Sequence, residues 1–213
     1  MQLPQIRWKA QNNYFCKNNF VNNNRIKMKK IIITLALAAA AAFGANAQIG
    51  AGLGYATKVH GGDADLNLGG LYVGANYNYE IANGLAVAPG IDFAMYSTEK
   101  NNVKYKENYI GIPVLFNYGI EVADGFKLVP FAGPTFSLGL SSKSTSGSVT
   151  IDNYDADDDY GKFDILIGGG VALDVMEMIR VSIGYNYGLL DRNANGSLKD
   201  TCSGVHFGVA YLF

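Results

Sequence analysis

Apolar and polar residues alternate with a period of two along most of the chain after residue 48. Between Ile179 and Leu189 every odd position is apolar or aromatic, and the even positions are Arg180, Ser182, Gly184, Asn186 and Gly188. Residues 163–175 and 205–213 repeat this pattern. Such alternation is typical of β-strands that bury or embed one face, and no window shows a sustained helical period.

Five further segments follow the same alternation less regularly. The eight predicted strands are 49–57, 67–79, 85–97, 106–120, 127–140, 163–175, 179–189 and 205–213. Their connections alternate between short ones, near 80–84, 121–126 and 176–178, and long ones, near 58–66, 98–105, 141–161 and 191–201. Tight turns at one end and long loops at the other indicate an all-β fold: an eight-stranded antiparallel up-and-down transmembrane β-barrel.

The composition of the strand face opposite the apolar one favours a membrane barrel over a soluble, lipocalin-like barrel. That face contains many of the 26 glycines together with a few charged residues. Small residues and paired charges suit a narrow lumen, whereas a hydrated outer surface would not need so much glycine. The apolar face then contacts lipid, with tyrosine and phenylalanine near the strand ends forming aromatic girdles.

The region before residue 48 differs from the rest in charge. It holds seven basic residues and no acidic residue, which leaves ten basic and 18 acidic residues after it. Met28-Lys29-Lys30 precedes an apolar run from Ile31 to Phe43, and Ala45-Asn46-Ala47 follows. This order predicts a signal peptide at 28–47, cleaved before Gln48, because the run is too short to span a membrane as a helix. Residues 1–27 are then an upstream extension or a disordered cytosolic tail, and 48–213 form the barrel domain.

Several stretches resemble the PorT-like outer-membrane β-barrel family of Bacteroidetes-type bacteria. They are 108–115, 130–134, 164–170, 185–191 and 208–213. The resemblance implies an outer-membrane location and insertion by the barrel-assembly machinery, which would read the C-terminal signal that includes Tyr211 and Phe213. It carries over no functional residue.

Five charged residues fall on the predicted inner face of the barrel: Asp92, Lys127, Asp164, Asp174 and Arg180. An eight-stranded barrel is just wide enough to be filled by its own side chains. We therefore expect these residues to form a lumenal network of ion pairs and hydrogen bonds. A proton or ion path is the alternative.

Metal-binding and catalytic signals are weak. Asp155, Asp157 and Asp159 have the first spacings of a calcium loop, but Tyr160 replaces its glycine and Leu166 its final glutamate, so a solvated acidic loop is the simpler interpretation. His60 is expected in the first long loop near Asp63 and Asp65, with the serines of 141–148 in the third, and a rim enzyme would build its site from such residues. No nucleophile motif supports one, and Cys202 is the one thiol after residue 48. We therefore expect no enzyme activity, no cofactor and no firm metal site.

These observations predict a monomeric outer-membrane protein that acts as an envelope structural and interaction scaffold. Loops placed by a rigid frame carry function, so contacts are expected from acidic extracellular loops, mainly 141–161. The expected partners are outer-membrane lipid, lipopolysaccharide, the barrel-assembly machinery and an unidentified surface or periplasmic protein. A net charge of −1 does not suggest nucleic acid. A small-solute channel is the alternative function, followed by a rim enzyme.

Overall fold

The computed structural model describes residues 47–61, 66–156, 161–192 and 200–213, which form ten strands and one short helix. The strands are β1 (Ala47–His60), β2 (Leu66–Ala82), β3 (Leu85–Lys100), β4 (Val103–Tyr118), β5 (Ile120–Ala123), β6 (Phe126–Ser146), β7 (Val149–Asp152), β8 (Phe163–Val175), β9 (Ile179–Gly188) and β10 (Cys202–Leu212). The helix, α1, is Asn153–Ala156. Within these ranges no helix combines the length and apolar character needed to cross a membrane.

The strands close into a barrel. Each long strand pairs antiparallel with its neighbour in sequence, β4 pairs with β6, and β1 pairs with β10. The short strands β5 and β7 pair only with β6 in the described part of the chain. They are not part of the closed ring of eight strands. The predicted eight-stranded antiparallel barrel is therefore confirmed. Closure matters because every backbone polar group inside a membrane must be bonded within the protein.

Tight turns lie at one rim of the barrel, which we call the turn end. Gly84 and Gly125 adopt positive φ values of 75° and 76°, and Met176 and Glu177 form a two-residue turn with φ values of 53° and 58°. The opposite rim, where β1 ends at His60 and β10 begins at Cys202, is the loop end. Paired positive φ values match the right-handed twist of the flanking strands and so keep the hairpins tight.

One connection at the loop end is shorter than expected. The sequence predicted a long loop at 98–105, but β3 runs to Lys100 and β4 starts at Val103. Asn101 and Asn102 make the turn, with φ values of 53° and 61°. Asparagine tolerates this conformation better than most non-glycine residues, so a two-residue hairpin turn forms without glycine.

Side chains alternate between the lumen and the outside as the sequence pattern predicted. On β1, Leu53 and Tyr55 are exposed, whereas Gly54, Ala56 and Lys58 are not. Ile183 on β9 is 52% exposed, and Gly184 beside it is buried. The exposed apolar side chains form the surface that contacts lipid in a membrane barrel.

Lumenal glycines make room for larger side chains from neighbouring strands. A Cβ atom on Gly54 would overlap the ring of Tyr72, and one on Gly208 would overlap the hydroxyl of the same tyrosine. A Cβ atom on Gly184 would likewise overlap the ring of His206, which lines the lumen. The glycines therefore leave space for these aromatic rings in a bore that would otherwise be too narrow.

A sheet extension projects from the loop end. β6 pairs with β8 as far as Leu138, opposite Phe163, and then continues to Ser146 with β4 on one side and β7 on the other. We call residues 140–152 the projecting arm. The sequence predicted a loop over 141–161, but the first half of this range is regular β-structure, in which β6 pairs with both β4 and β7.

Candidate functional site

The loop end of the lumen is filled by a cluster of interacting polar side chains. Their positions come from β1, β4, β6, β10, α1 and the segment between β9 and β10. The members of this loop-end cluster are Lys58, His60, Glu107, Tyr109, Ser142, Tyr154, Arg192, Asp200 and Cys202, and all are less than a tenth exposed.

Glu107 is the central acceptor of the cluster. Its Oε2 accepts hydrogen bonds from Lys58 Nζ at 2.9 Å and from Tyr109 Oη at 2.6 Å, and its Oε1 accepts one from Ser142 Oγ at 3.1 Å. Lys58 Nζ also lies 3.4 Å from the centroid of the Tyr109 ring. A buried carboxylate needs such partners, because an unpaired charge in this position would be strongly destabilising.

Arg192 ties the loop-end cluster to the connections outside the barrel. Its guanidinium is 1% exposed and donates to Tyr109 Oη at 2.6 Å, to Tyr154 Oη at 2.9 Å and to the carbonyl of Gly161 at 2.9 Å and 3.0 Å. Burial raises the pKa of Tyr154, more than Arg192 lowers it, so this phenol stays protonated at neutral pH. The Arg192 guanidinium thus holds α1 and the residues just before β8 against the loop end of the barrel.

His60 joins the second half of the cluster. Its Nδ1 lies 2.9 Å from Asp200 Oδ1 and 3.7 Å from Cys202 Sγ. Its Nε2 lies 3.4 Å from Glu107 Oε2, which is within ion-pair range, yet that nitrogen is buried without an aligned hydrogen bond. An imidazole nitrogen, a carboxylate and a thiol therefore lie close together at the loop end of the lumen.

Strand register explains why these distant residues meet. β1 and β10 are the first and last strands, and their pairing places His60 directly opposite Cys202. The β4–β6 pairing likewise places Glu107 opposite Ser142. The sequence interpretation put His60 in a loop, and it instead ends β1 with its side chain inward. The available signal was the alternation on β1, which gives Gly54, Ala56, Lys58 and His60 the same face.

The wider lumen contains a cavity of about 260 Å³. Its lining includes Tyr72, Asp92, Tyr96, Asn117 and His206. At the turn end Arg180 and Asp174 form an ion pair, and Asn117 Nδ2 donates to Asn78 Oδ1 at 2.8 Å. Polar side chains therefore cross the bore at both ends of this cavity.

A closed eight-stranded barrel with an apolar exterior and a polar lumen agrees with what comparison with known proteins finds. Residues 64–192 match the family described as outer membrane protein beta-barrel domain. The chain belongs to this family. Its place is the outer membrane, as the sequence predicted.

Solved structures of other outer-membrane barrels share the fold. Ail, the attachment invasion locus protein of Yersinia pestis, is 15% identical with a TM-score of 0.51, and the match covers 79% of this chain and 100% of that one. Neisserial surface protein A is 18% identical with a TM-score of 0.50, and 78% and 97% of the two chains are covered. The comparison with curated proteins yields no match.

The structure separates the five predicted lumenal charges of this outer-membrane barrel. Asp174 and Arg180 pair at the turn end, and in the described ranges theirs is the ion pair that joins two of the five. Asp92 lines the lumen cavity, where its carboxylate occupies the space beside Gly111. Asp164 lies near the loop end and accepts a hydrogen bond from the amide of Leu190 at 3.2 Å. The expectation of one network is corrected, because the five charged side chains lie at different positions along the barrel axis.

Lys127 is the clearest departure from that expectation. Its side chain is 41% exposed at the turn-end rim and pairs with Glu177 in the β8–β9 turn. The Lys127 ammonium, which donates a hydrogen bond, lowers the pKa of the Glu177 carboxyl. Lys127 stands opposite Asp174 in the β6–β8 register, so its face was predicted correctly, but it lies too near the strand end to enter the bore.

The remaining predicted residues give less information. The side chains of Asp155, Asp157 and Asp159 lie outside the described residues, as do the predicted extension at 1–27 and residues 28–46 of the predicted signal peptide. β1 begins at Ala47, the last residue of that predicted peptide. Tyr211 and Phe213 lie at the turn end with their ring centroids 4.8 Å apart, and both are exposed.

Proposed function

We propose that this outer-membrane barrel is an envelope scaffold that binds another macromolecule through its loop end, with the loop end facing the cell exterior. The single observation that carries the proposal is the projecting arm, which extends past the last residue paired with β8. A rigid frame that extends an ordered sheet edge beyond the β6–β8 pairing is suited to making contacts.

The arm offers two features that proteins use for recognition. Val149 and Ile151 of β7 are 62% and 51% exposed, although they are apolar. In the described part of the chain β7 pairs with β6 alone, so its other edge presents backbone donors and acceptors. An exposed strand edge with apolar side chains is a template for an added strand from a partner.

The lumen supports a scaffold rather than a channel. The loop-end cluster and the Asp174–Arg180 pair cross the bore at its two ends, and both consist of side chains held by several short hydrogen bonds. Opening a path would break buried ion pairs, which is costly because each charge would lose its partner.

The loop-end cluster also supports a non-enzymatic role. Cys202 is 2% exposed, and a nucleophile must reach its substrate. Asp200 and Cys202 both approach Nδ1 of His60, and Glu107 makes no aligned hydrogen bond with Nε2, whereas a relay needs the nucleophile and the orienting acid hydrogen-bonded to opposite ring nitrogens.

The likeness to PorT-like proteins of Bacteroidetes implies insertion by the barrel-assembly machinery through the Tyr211–Phe213 end. We further propose a monomer that contacts lipid and lipopolysaccharide, with an acidic segment after the arm.

Site-specific photo-crosslinking in whole cells tests the scaffold role. A photoreactive residue at Ile151 should yield a discrete crosslinked product that Val149→Asp abolishes. The matched control is the same residue at Asp124, which is exposed in a turn at the opposite end. Equal products from both positions, or none from Ile151, would argue against contact through the arm.

Planar bilayers test the channel alternative. The purified barrel should show no stable conductance steps. Reproducible steps that change with Arg180→Ala or Asp164→Ala would replace the scaffold proposal with a channel.

A further inference from the structure

We propose that His60, Asp200 and Cys202 bind a divalent metal ion of the zinc class at the loop end of the lumen. The three residues are all buried, and one potential ligand atom from each lies within 4.8 Å of the others. This inference goes beyond the scaffold role, because it concerns the interior of the barrel rather than the arm.

The donor set has the right chemistry. Imidazole nitrogen, thiolate sulfur and carboxylate oxygen are the three side-chain donors that Zn²⁺ binds, and thiolate with imidazole disfavours Mg²⁺ and Ca²⁺. In a tetrahedral zinc site neighbouring nitrogen, oxygen and sulfur ligands are about 3.4–3.6 Å apart, given the usual bond lengths. His60 Nδ1 lies 3.7 Å from Cys202 Sγ and 2.9 Å from Asp200 Oδ1, and no two of the three donor atoms are more than 4.8 Å apart, so side-chain shifts of about an ångström bring all three to these distances.

Both Asp200 and Cys202 approach the same nitrogen of His60. That convergence is awkward for a hydrogen-bonded relay but is what a shared ion requires, since all three donors must point at one centre. The backbone holds the donors in place: Cys202 is the cross-strand partner of His60, and the amide of Asp200 donates to Asp191 Oδ1 at 3.0 Å.

The surroundings resemble the outer shell of a metal site. A histidine ligand usually presents its other ring nitrogen to a carboxylate, which fixes the tautomer. Here the other nitrogen, Nε2, is buried without an aligned hydrogen bond and lies 3.4 Å from Glu107 Oε2. Arg192 Nη1 lies 3.7 Å from Cys202 Sγ, where it can support the thiolate form.

The competing interpretation is an ion cluster without metal. A protonated His60 would then bridge Asp200 and Glu107, and Cys202 would be a passive buried thiol. The two interpretations differ in the part given to Cys202, because only metal binding needs its sulfur. Cys202 lines the lumen cavity, from which a water could complete the coordination of an ion.

Cobalt binding separates the two. The full chain, folded in detergent with a non-thiol reductant, is titrated with Co²⁺ and then with Zn²⁺. We expect one equivalent of Co²⁺ to bind with a cobalt–thiolate charge-transfer absorption that Zn²⁺ abolishes. Cys202→Ser should lose that absorption, and His60→Gln should bind at least about tenfold more weakly. The matched control is His206→Gln, the other histidine of the chain, which should bind like wild type.

A second measurement keeps the test decisive if a variant fails to fold, which the migration of unheated samples in SDS gels reports. X-ray absorption at the zinc edge of the loaded wild-type protein should show one sulfur among nitrogen and oxygen ligands. A wild-type protein that binds neither ion at millimolar concentration would overturn the proposal. So would a zinc spectrum without sulfur, or cobalt absorption that survives Cys202→Ser.

Discussion

Asp174 and Arg180 face each other across the turn that joins β8 and β9, and their side chains form a bidentate ion pair. Arg180 Nε donates to Asp174 Oδ1 at 2.6 Å, and Nη2 donates to Oδ2 at 2.7 Å. Both side chains are mostly buried, with 14% of Arg180 and 8% of Asp174 exposed. The planar guanidinium matches the two carboxylate oxygens, which makes this geometry both strong and specific.

Removing one member of this pair should destabilise the barrel more than removing both. Arg180→Met leaves the Asp174 carboxylate buried without its partner, which should cost about 3–5 kcal/mol. The double variant with Asp174→Leu should recover a large part of that loss. Urea titrations in lipid vesicles measure both, and equal losses for the single and double variants would mean that the buried charge is not what destabilises the barrel.

A charge on the lipid-facing surface should be costly in the middle of a strand. Ile183 lies midway along β9 with its side chain outward, so Ile183→Arg should lower the free energy of unfolding by about 2–4 kcal/mol. Val149→Arg, on the projecting arm, should stay within about 0.5 kcal/mol of wild type. The same vesicle titration compares the two, and no loss at Ile183 would contradict the facing assigned to β9.

The lumenal glycines should resist enlargement. Gly208→Ala would place a methyl group against the hydroxyl of Tyr72, and we expect a loss of about 1–3 kcal/mol from overpacking. The double variant with Tyr72→Phe should regain stability relative to Gly208→Ala alone, because it removes that hydroxyl. If Gly208→Ala is as stable as wild type, the Tyr72 hydroxyl does not rest on this glycine.

Processing should occur between Ala47 and Gln48. Small residues at Ala45 and Ala47 fit the cleavage site of a signal peptidase. N-terminal sequencing of protein extracted from membranes should begin at Gln48, and Ala47→Arg should slow the removal of the precursor segment. Recovery of a chain that keeps 31–43 would contradict the prediction.

Strand positions were predictable wherever one face was uniformly apolar. β9 and β10 follow the alternation almost residue by residue, and their ends were placed within a few positions. The prediction was wrong at 98–105 because the outer halves of β3 and β4 carry polar residues on both faces. Backbone pairing and the Asn101–Asn102 turn hold that hairpin, and neither leaves an apolar pattern.

The loop-end cluster was not predictable from the same pattern. Alternation on β1 marks Lys58 and His60 as inward-facing, but it does not say what stands opposite them. Glu107 was not recognised as an inward-facing residue, and Arg192 lies outside every regular strand. No local signal marks such residues, since each is ordinary within its own segment.

The sequence by itself determined the class of the fold, the face of most strand residues and the outer-membrane location, because these depend on a period of two that each strand carries alone. Only the tertiary structure decided which inward residues meet. The register between strands and their tilt set the height of each side chain in the bore, and both are properties of the closed sheet. For this reason His60 and Cys202, 142 positions apart, lie side by side, whereas Lys127 is separated from the lumen that its alternation assigned to it.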